Sequence, residues 1–127
     1  MTPVRRFAAP VNLESITSEA AFQTLVVDAL RSMGWVVIHI KEMFGNPKGI
    51  PDLLCFAERE YALALGMGDV EMTRLGRGQM IELKIVGNTV SKGQLRWRER
   101  WLPEGVTVID VWNRAEDWDR LMDRMER

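Results

Sequence analysis

Cysteine and histidine are almost missing from this chain: each occurs once in 127 residues, as Cys55 and His39. One thiol excludes an intramolecular disulfide. Cys55 stands in the apolar run Leu53-Leu54-Cys55-Phe56, where it reads as a small hydrophobe in a reducing, cytoplasmic setting. A single imidazole and a single thiol cannot assemble a zinc set, so His39 reads as a partly exposed strand residue. No apolar run approaches the roughly 20 residues that span a bilayer, and the N-terminus lacks the apolar centre of a signal peptide. Net charge is nearly absent as well, since 17 Lys and Arg face 18 Asp and Glu, leaving -1. The chain is not a polycation, so a nucleic-acid surface has to come from local clustering of basic residues.

What is present suits one globular domain with a real core: 46% of residues are hydrophobic and 28% charged. Residues 1–14, with Pro3 and Pro10 and no periodicity, read as a flexible N-terminal arm whose Arg5 and Arg6 are solvated. From 15 to 127 the pattern is that of a single domain. Phe22, Leu25, Val26, Ala29, Leu30 and Met33 recur at helical spacing after an N-cap at Thr17 or Ser18, and Gly34 ends the helix. Glu19 lies in its first turn, where an acid complements the helix dipole. Trp35 to Lys41 reads as a strand, and 42–48 as a loop. A second strand follows Pro51, a residue suited to a strand start because no ladder donor is required there.

The stretch from 58 to 78 is longer than a hairpin needs and reads as an insertion at the sheet's edge, with a short helix over 61–67. In Ile81-Glu82-Leu83-Lys84-Ile85 the residues alternate, so Ile81, Leu83 and Ile85 share one face and Glu82 and Lys84 the open one. Ser91-Lys92-Gly93-Gln94 fits a capping box that opens a helix running to Trp101, before Pro103 and Gly105. Trp97 and Trp101, at i and i+4, read as a core stripe. Val106 to Trp112 reads as a strand, Asn113 as the cap of a last helix, and Trp118, Leu121, Met122 and Met125 as its apolar face, the remaining face being solvated or packed against a partner.

Partly buried charge must be paired or bind a metal. Glu82 and Lys84 on one strand face are therefore costly to place for packing alone, and an Asp52 on the neighbouring strand would bring three charged groups to one point. Lys92, at a helix start beside them, is the cation best placed to meet a phosphate, together with the helix N-terminus itself.

Glu19 on the first helix, Gly49-Ile50-Pro51-Asp52 before Leu53-Leu54, Glu82-Leu83-Lys84, and Ser91-Lys92-Gly93-Gln94, in this order and on these elements, resemble the PD-(D/E)xK nuclease superfamily and, in detail, its VRR-NUC family. Two features depart from the usual pattern: the Asp52-to-Glu82 connection is long, and Gly87, Asn88, Thr89 and Val90 stand where a basic residue often precedes the Ser-x-x-Gln element. The resemblance implies an α/β fold with a restriction-endonuclease-like core, a mixed four-stranded sheet flanked by helices. It implies a metal-dependent phosphodiesterase in which Asp52, Glu82 and the Leu83 carbonyl hold Mg²⁺, or Mn²⁺ in its place, with Glu19 as a further ligand.

Lys84 then holds the attacking water and stabilises developing charge, and Gln94 orients water or Lys84. Asp52, Glu82, Lys84 and Gln94 are the expected catalytic residues, and Lys48, Ser91, Lys92 and Arg96 the expected DNA contacts. Small stand-alone relatives, common in phages, resemble Holliday-junction resolvases. The implied activity is structure-selective cleavage of branched DNA by a homodimer, in a bacterial cell or phage-infected host. The alternatives are a nuclease that nicks duplex or flap DNA without junction preference, and a non-catalytic junction-binding dimer.

Overall fold

A computed structural model describes residues 8–40, 49–57, 78–102 and 107–126. The expected contact Lys48, the loop over 42–48, all but the last residue of the 58–78 insertion, and the first seven residues of the arm lie outside them. The described elements run α1 (Glu19–Ser32), β1 (Trp35–Ile38), β2 (Leu53–Ala57), β3 (Gly78–Lys84), α2 (Lys92–Trp101), β4 (Val108–Trp112) and α3 (Ala115–Met125). The four strands form one mixed sheet in the order β1-β2-β3-β4. β1 and β3 each lie antiparallel to β2, while β4 lies parallel to β3. A parallel neighbour needs a crossover, and α2 supplies it. The expected α/β class with a mixed four-stranded sheet and flanking helices is what forms.

Alternation along the strands sends side chains to two cores. Leu53, Cys55, Ile81, Leu83 and Val111 meet Phe22, Val26 and Leu30 of α1 and Trp118, Leu121 and Met122 of α3. On the opposite face Leu54, Phe56 and Met80 meet Ile50 and Trp97 of α2. Each such buried apolar side chain contributes about 1.5–3 kcal/mol before entropy is counted. Glu82 and Lys84 share that second face, which α2 covers. Their face is therefore not open, as strand alternation alone suggests; it is the underside of a helix. β3 also starts earlier than expected, because Leu54 and Cys55 of β2 pair with Met80 and Gln79.

Several local expectations change once the partners of each side chain are known. Leu13, placed in the arm by its lack of periodicity, is 2% exposed and belongs to the larger core. Asn113 does not cap α3, whose N-cap is Arg114 without a side-chain bond. Instead its Oδ1 accepts from Val86 N at 2.7 Å, and its Nδ2 donates to the Leu13 and Ile16 carbonyls at 3.1 and 2.9 Å. A fully buried amide thus ties the β3 exit to the segment before α1. The charged face of α3 is not wholly solvated, since Asp117 is buried, accepts from Trp112 N at 2.8 Å and pairs with Arg114 and Arg120 at 3.1 and 3.4 Å. Trp97 is core as expected, whereas Trp101, the last residue of α2, is 56% exposed.

Ser18 caps α1, its side chain accepting from Ala21 N. His39, half-buried just past β1, lies with Nδ1 2.8 Å from Gln23 Nε2 of α1. No described helix is long and apolar enough to cross a membrane. Cys55 is fully buried, and that burial pushes its thiol from 9.0 to about 12. The unfolded chain therefore loses this proton first. The thiol's contribution to stability is complete below pH 9 and declines as pH rises toward 12. Cys55 is accordingly expected to resist iodoacetamide at pH 8 in the native protein and to react fully in denaturant, which mass spectrometry of the alkylated chain would read directly. Rapid native labelling would show that the strand opens locally.

Candidate functional site

The site begins at Gly49, whose φ of +93° belongs to the left-handed region. It brings the chain against the start of α2, so close that a Cβ at Gly49 would stand 2.5 Å from the Gly93 carbonyl oxygen. Ile50 then anchors in the smaller core beside Trp97. Pro51 lacks the donor that a ladder would use, and Asp52 follows at the bend before β2. Beyond the last β2–β3 rung, Leu53 to Ile81, side chains take over the ladder. Asp52 N donates to Glu82 Oε2 at 3.1 Å, and Leu83 N donates to Asp52 Oδ2 at 2.7 Å.

Glu82 faces the underside of α2. Its Oε1 accepts from Gln94 Nε2 and lies 3.5 Å from Lys84 Nζ. Gln94 is fixed from its other end by the capping box: its Oε1 accepts from Ser91 N at 2.8 Å, while Ser91 Oγ accepts from Gln94 N at 3.1 Å. Gln94 therefore completes the capping box and reaches Glu82 at once, because the amide has enough donors and acceptors for each. Ser91→Ala removes the cap and is expected to cost about 1 kcal/mol in urea denaturation. An unchanged midpoint would mean that Gln94 alone holds the helix start.

Asp52, Glu82, Lys84 and Gln94 are 6%, 1%, 8% and 5% exposed. Charges so placed lose several kcal/mol of hydration each, and a well-packed apolar substitute is often equally stable or more so. Stability gives little reason to keep two carboxylates, an ammonium and an amide together in one buried spot. The expected catalytic residues are thus brought together. Ser91, Lys92 and Arg96 are exposed on the first turns of α2, next to them.

Glu19 is the exception among the expected ligands. It is exposed at the start of α1, the helix that covers the opposite face of the sheet. Among the described residues no three His, Cys, Asp or Glu side chains form a group able to hold a metal ion. Of the expected carboxylate ligands, Asp52 and Glu82 are the two that the structure joins, through the Asp52 N to Glu82 bond. An extended residue directs its N–H and C=O to the same strand edge. The Leu83 amide is bonded to Asp52, so its carbonyl opens on the Asp52 side too. Two carboxylates and one carbonyl are hard oxygen donors, the type that suits Mg²⁺ or Mn²⁺.

Sequence reading overlooked Asp110. In the parallel register it stands directly beside Glu82, and Arg98 of α2 clamps it with bonds of 2.9 and 2.6 Å. This fork offsets a second acid that would otherwise repel Glu82 across the strands. The signal was a lone acid within Val108-Ile109-Asp110-Val111-Trp112. Comparison with protein-family models, curated proteins and solved structures finds no match to the chain.

Proposed function

We propose that this chain is a divalent-metal-dependent DNA endonuclease that hydrolyses phosphodiester bonds in branched DNA as a homodimer. The observation that carries the reading is the buried meeting of Asp52, Glu82, Lys84 and Gln94 beneath the N-terminus of α2. Asp52, Glu82 and the Leu83 carbonyl would hold Mg²⁺ or Mn²⁺, which when bound neutralises phosphate charge and lowers the pKa of water.

The chain's own residues supply the rest. Gln94, pinned by Ser91, fixes the rotamer of Glu82. Lys84 presents an ammonium beside Glu82, where it orients the attacking water and stabilises charge on the pentavalent phosphorus oxygens. The exposed N-terminus of α2, with Lys92 in its first turn, attracts the phosphate, and Arg96 extends that contact along the strand. One such cluster per chain cuts one strand, so paired cuts require two copies.

The test is cleavage of a labelled four-way junction beside matched duplex and flap DNA, with Mg²⁺, with Mn²⁺ and with chelator. Paired symmetric nicks in the junction alone, lost in chelator, are the expected result. Metal-dependent cutting of flap or duplex would keep the site and remove the substrate assignment. Junction binding without cleavage under either metal would leave a non-catalytic binding module.

A further inference from the structure

Four of the five tryptophans are at least half-buried in the fold, and Trp101 is not. Trp97 and Trp118 are core residues, while Trp35 and Trp112 donate their indole N–H to the Met125 and Asn88 carbonyls at 2.8 Å. Trp101 instead lies 56% exposed at the end of α2, with the Arg100 guanidinium 5.5 Å from its ring centre. It forms the far wall of a shallow groove lined by Gly93, Arg96, Trp97, Arg100 and Trp101. That lining contains two guanidinium groups, two indoles and no acid.

Lys92, Arg96 and Arg100 follow one another at i, i+4 and i+8. On a helix this places them along one ridge, rising about 6 Å per step. The ridge starts at the helix turn that holds Gln94 and runs away from the buried cluster. From Gln94 to Trp101 the distance along the axis is about 10 Å.

We infer that this groove binds a single-stranded DNA segment next to the buried cluster, with an unpaired base stacked on Trp101 and its backbone phosphates on the Lys92, Arg96 and Arg100 ridge. Two features favour that occupant over an apolar partner. The charge is wholly basic, which complements a phosphate backbone, and alternation of aromatic faces with cations is how single strands are held without sequence readout. A duplex cannot use the indole, because its bases are already stacked. The inference rests on the nuclease reading only for its biological meaning, which is that the preferred substrate carries an unpaired stretch beside the cut. The groove itself stands on its own geometry.

The experiment is fluorescence anisotropy of labelled oligothymidylate and of a duplex of equal length, in chelator, with the full chain as wild type, Trp101→Ala, Trp101→Phe and Leu95→Ala. Leu95 is 53% exposed on the same helix but does not line the groove. Trp101→Ala is expected to weaken oligothymidylate binding about tenfold and duplex binding little, Trp101→Phe to restore most of the affinity, and Leu95→Ala to change nothing. Replacing Arg96 and Arg100 together should flatten the salt dependence of oligothymidylate binding by about 1.4 units of slope.

Equal binding by wild type and Trp101→Ala, an equal loss in Leu95→Ala, or no binding of oligothymidylate by the wild type would overturn the inference. So would sedimentation showing that Trp101→Ala only dissociates a dimer. Because no cleavage is measured, the two proposals fail separately. A chain that cuts nothing yet loses single-strand affinity in Trp101→Ala keeps the groove and not the nuclease.

Discussion

Asp52→Asn and Lys84→Met are each expected to lower DNA cleavage by about 10²- to 10⁴-fold while leaving DNA binding in chelator close to wild type. The two act differently. Asn at position 52 still offers an oxygen to Leu83 N, so the strand junction is retained while the negative charge of the proposed metal ligand is lost. Met at position 84 preserves the length of the buried stem and removes the ammonium beside Glu82.

Removing one member of a buried ion pair costs about 3–5 kcal/mol when the other charge is left alone. Glu82 is not left alone, since Asp52 N and Gln94 Nε2 still donate to it. The fold therefore persists at reduced stability. Circular dichroism and chelator-phase binding separate lost chemistry from lost structure. Raising Mg²⁺ should recover part of the Asp52→Asn activity and none of the Lys84→Met activity, because only the first variant weakens ion binding. Wild-type cleavage rates in Lys84→Met would remove Lys84 from the mechanism.

The parts of this molecule legible in the sequence are those that depend on local periodicity. The stripe from Phe22 to Met33, the alternation at Ile81 to Ile85 and the box at Ser91 to Gln94 each state an element and a face, and each formed. Motif order also points to Asp52, Glu82, Lys84 and Gln94 as one group, and Glu82 contacts the other three in the fold. What stayed illegible depends on which distant group a side chain meets. Asn113 looks like a helix cap because Asn commonly is one, yet its three bonds go to Val86, Leu13 and Ile16. Glu82 and Lys84 look solvent-facing because alternation names two faces and not which helix covers each. Trp101 carries the same spacing as a core tryptophan, one turn from Trp97, yet stands exposed at the end of α2. Arg98 is one of several arginines on that helix until the β3–β4 register puts Asp110 under it.

Gly49→Ala is expected to destabilise the fold by several kcal/mol, whereas Gly93→Ala, across the same contact, is expected to be neutral or stabilising. At Gly49 two costs combine. A φ of +93° strains any residue with a Cβ by about 1–3 kcal/mol. The added carbon also meets the Gly93 carbonyl oxygen at 2.5 Å and Trp97 Cβ at 3.0 Å. Neither neighbour yields easily, because one is helix backbone and the other the root of a core side chain; such overpacking costs about 1–3 kcal/mol more. At Gly93 a Cβ would approach only Ser91 Oγ, at 3.8 Å, and a helical Gly-to-Ala change contributes about 0.5–1 kcal/mol of stability.

The same contact sets the position of Asp52 three residues on. Relief of the clash would push the Gly49 turn off α2 and draw Asp52 away from Leu83 N and Glu82. Gly49→Ala should therefore lose cleavage even at temperatures where it remains folded, and its affinity for Mg²⁺ in calorimetry should fall with it. Urea denaturation of both variants decides the structural half. If Gly49→Ala matches wild type in midpoint, the loop has another route past the helix, and the close approach does not position the site.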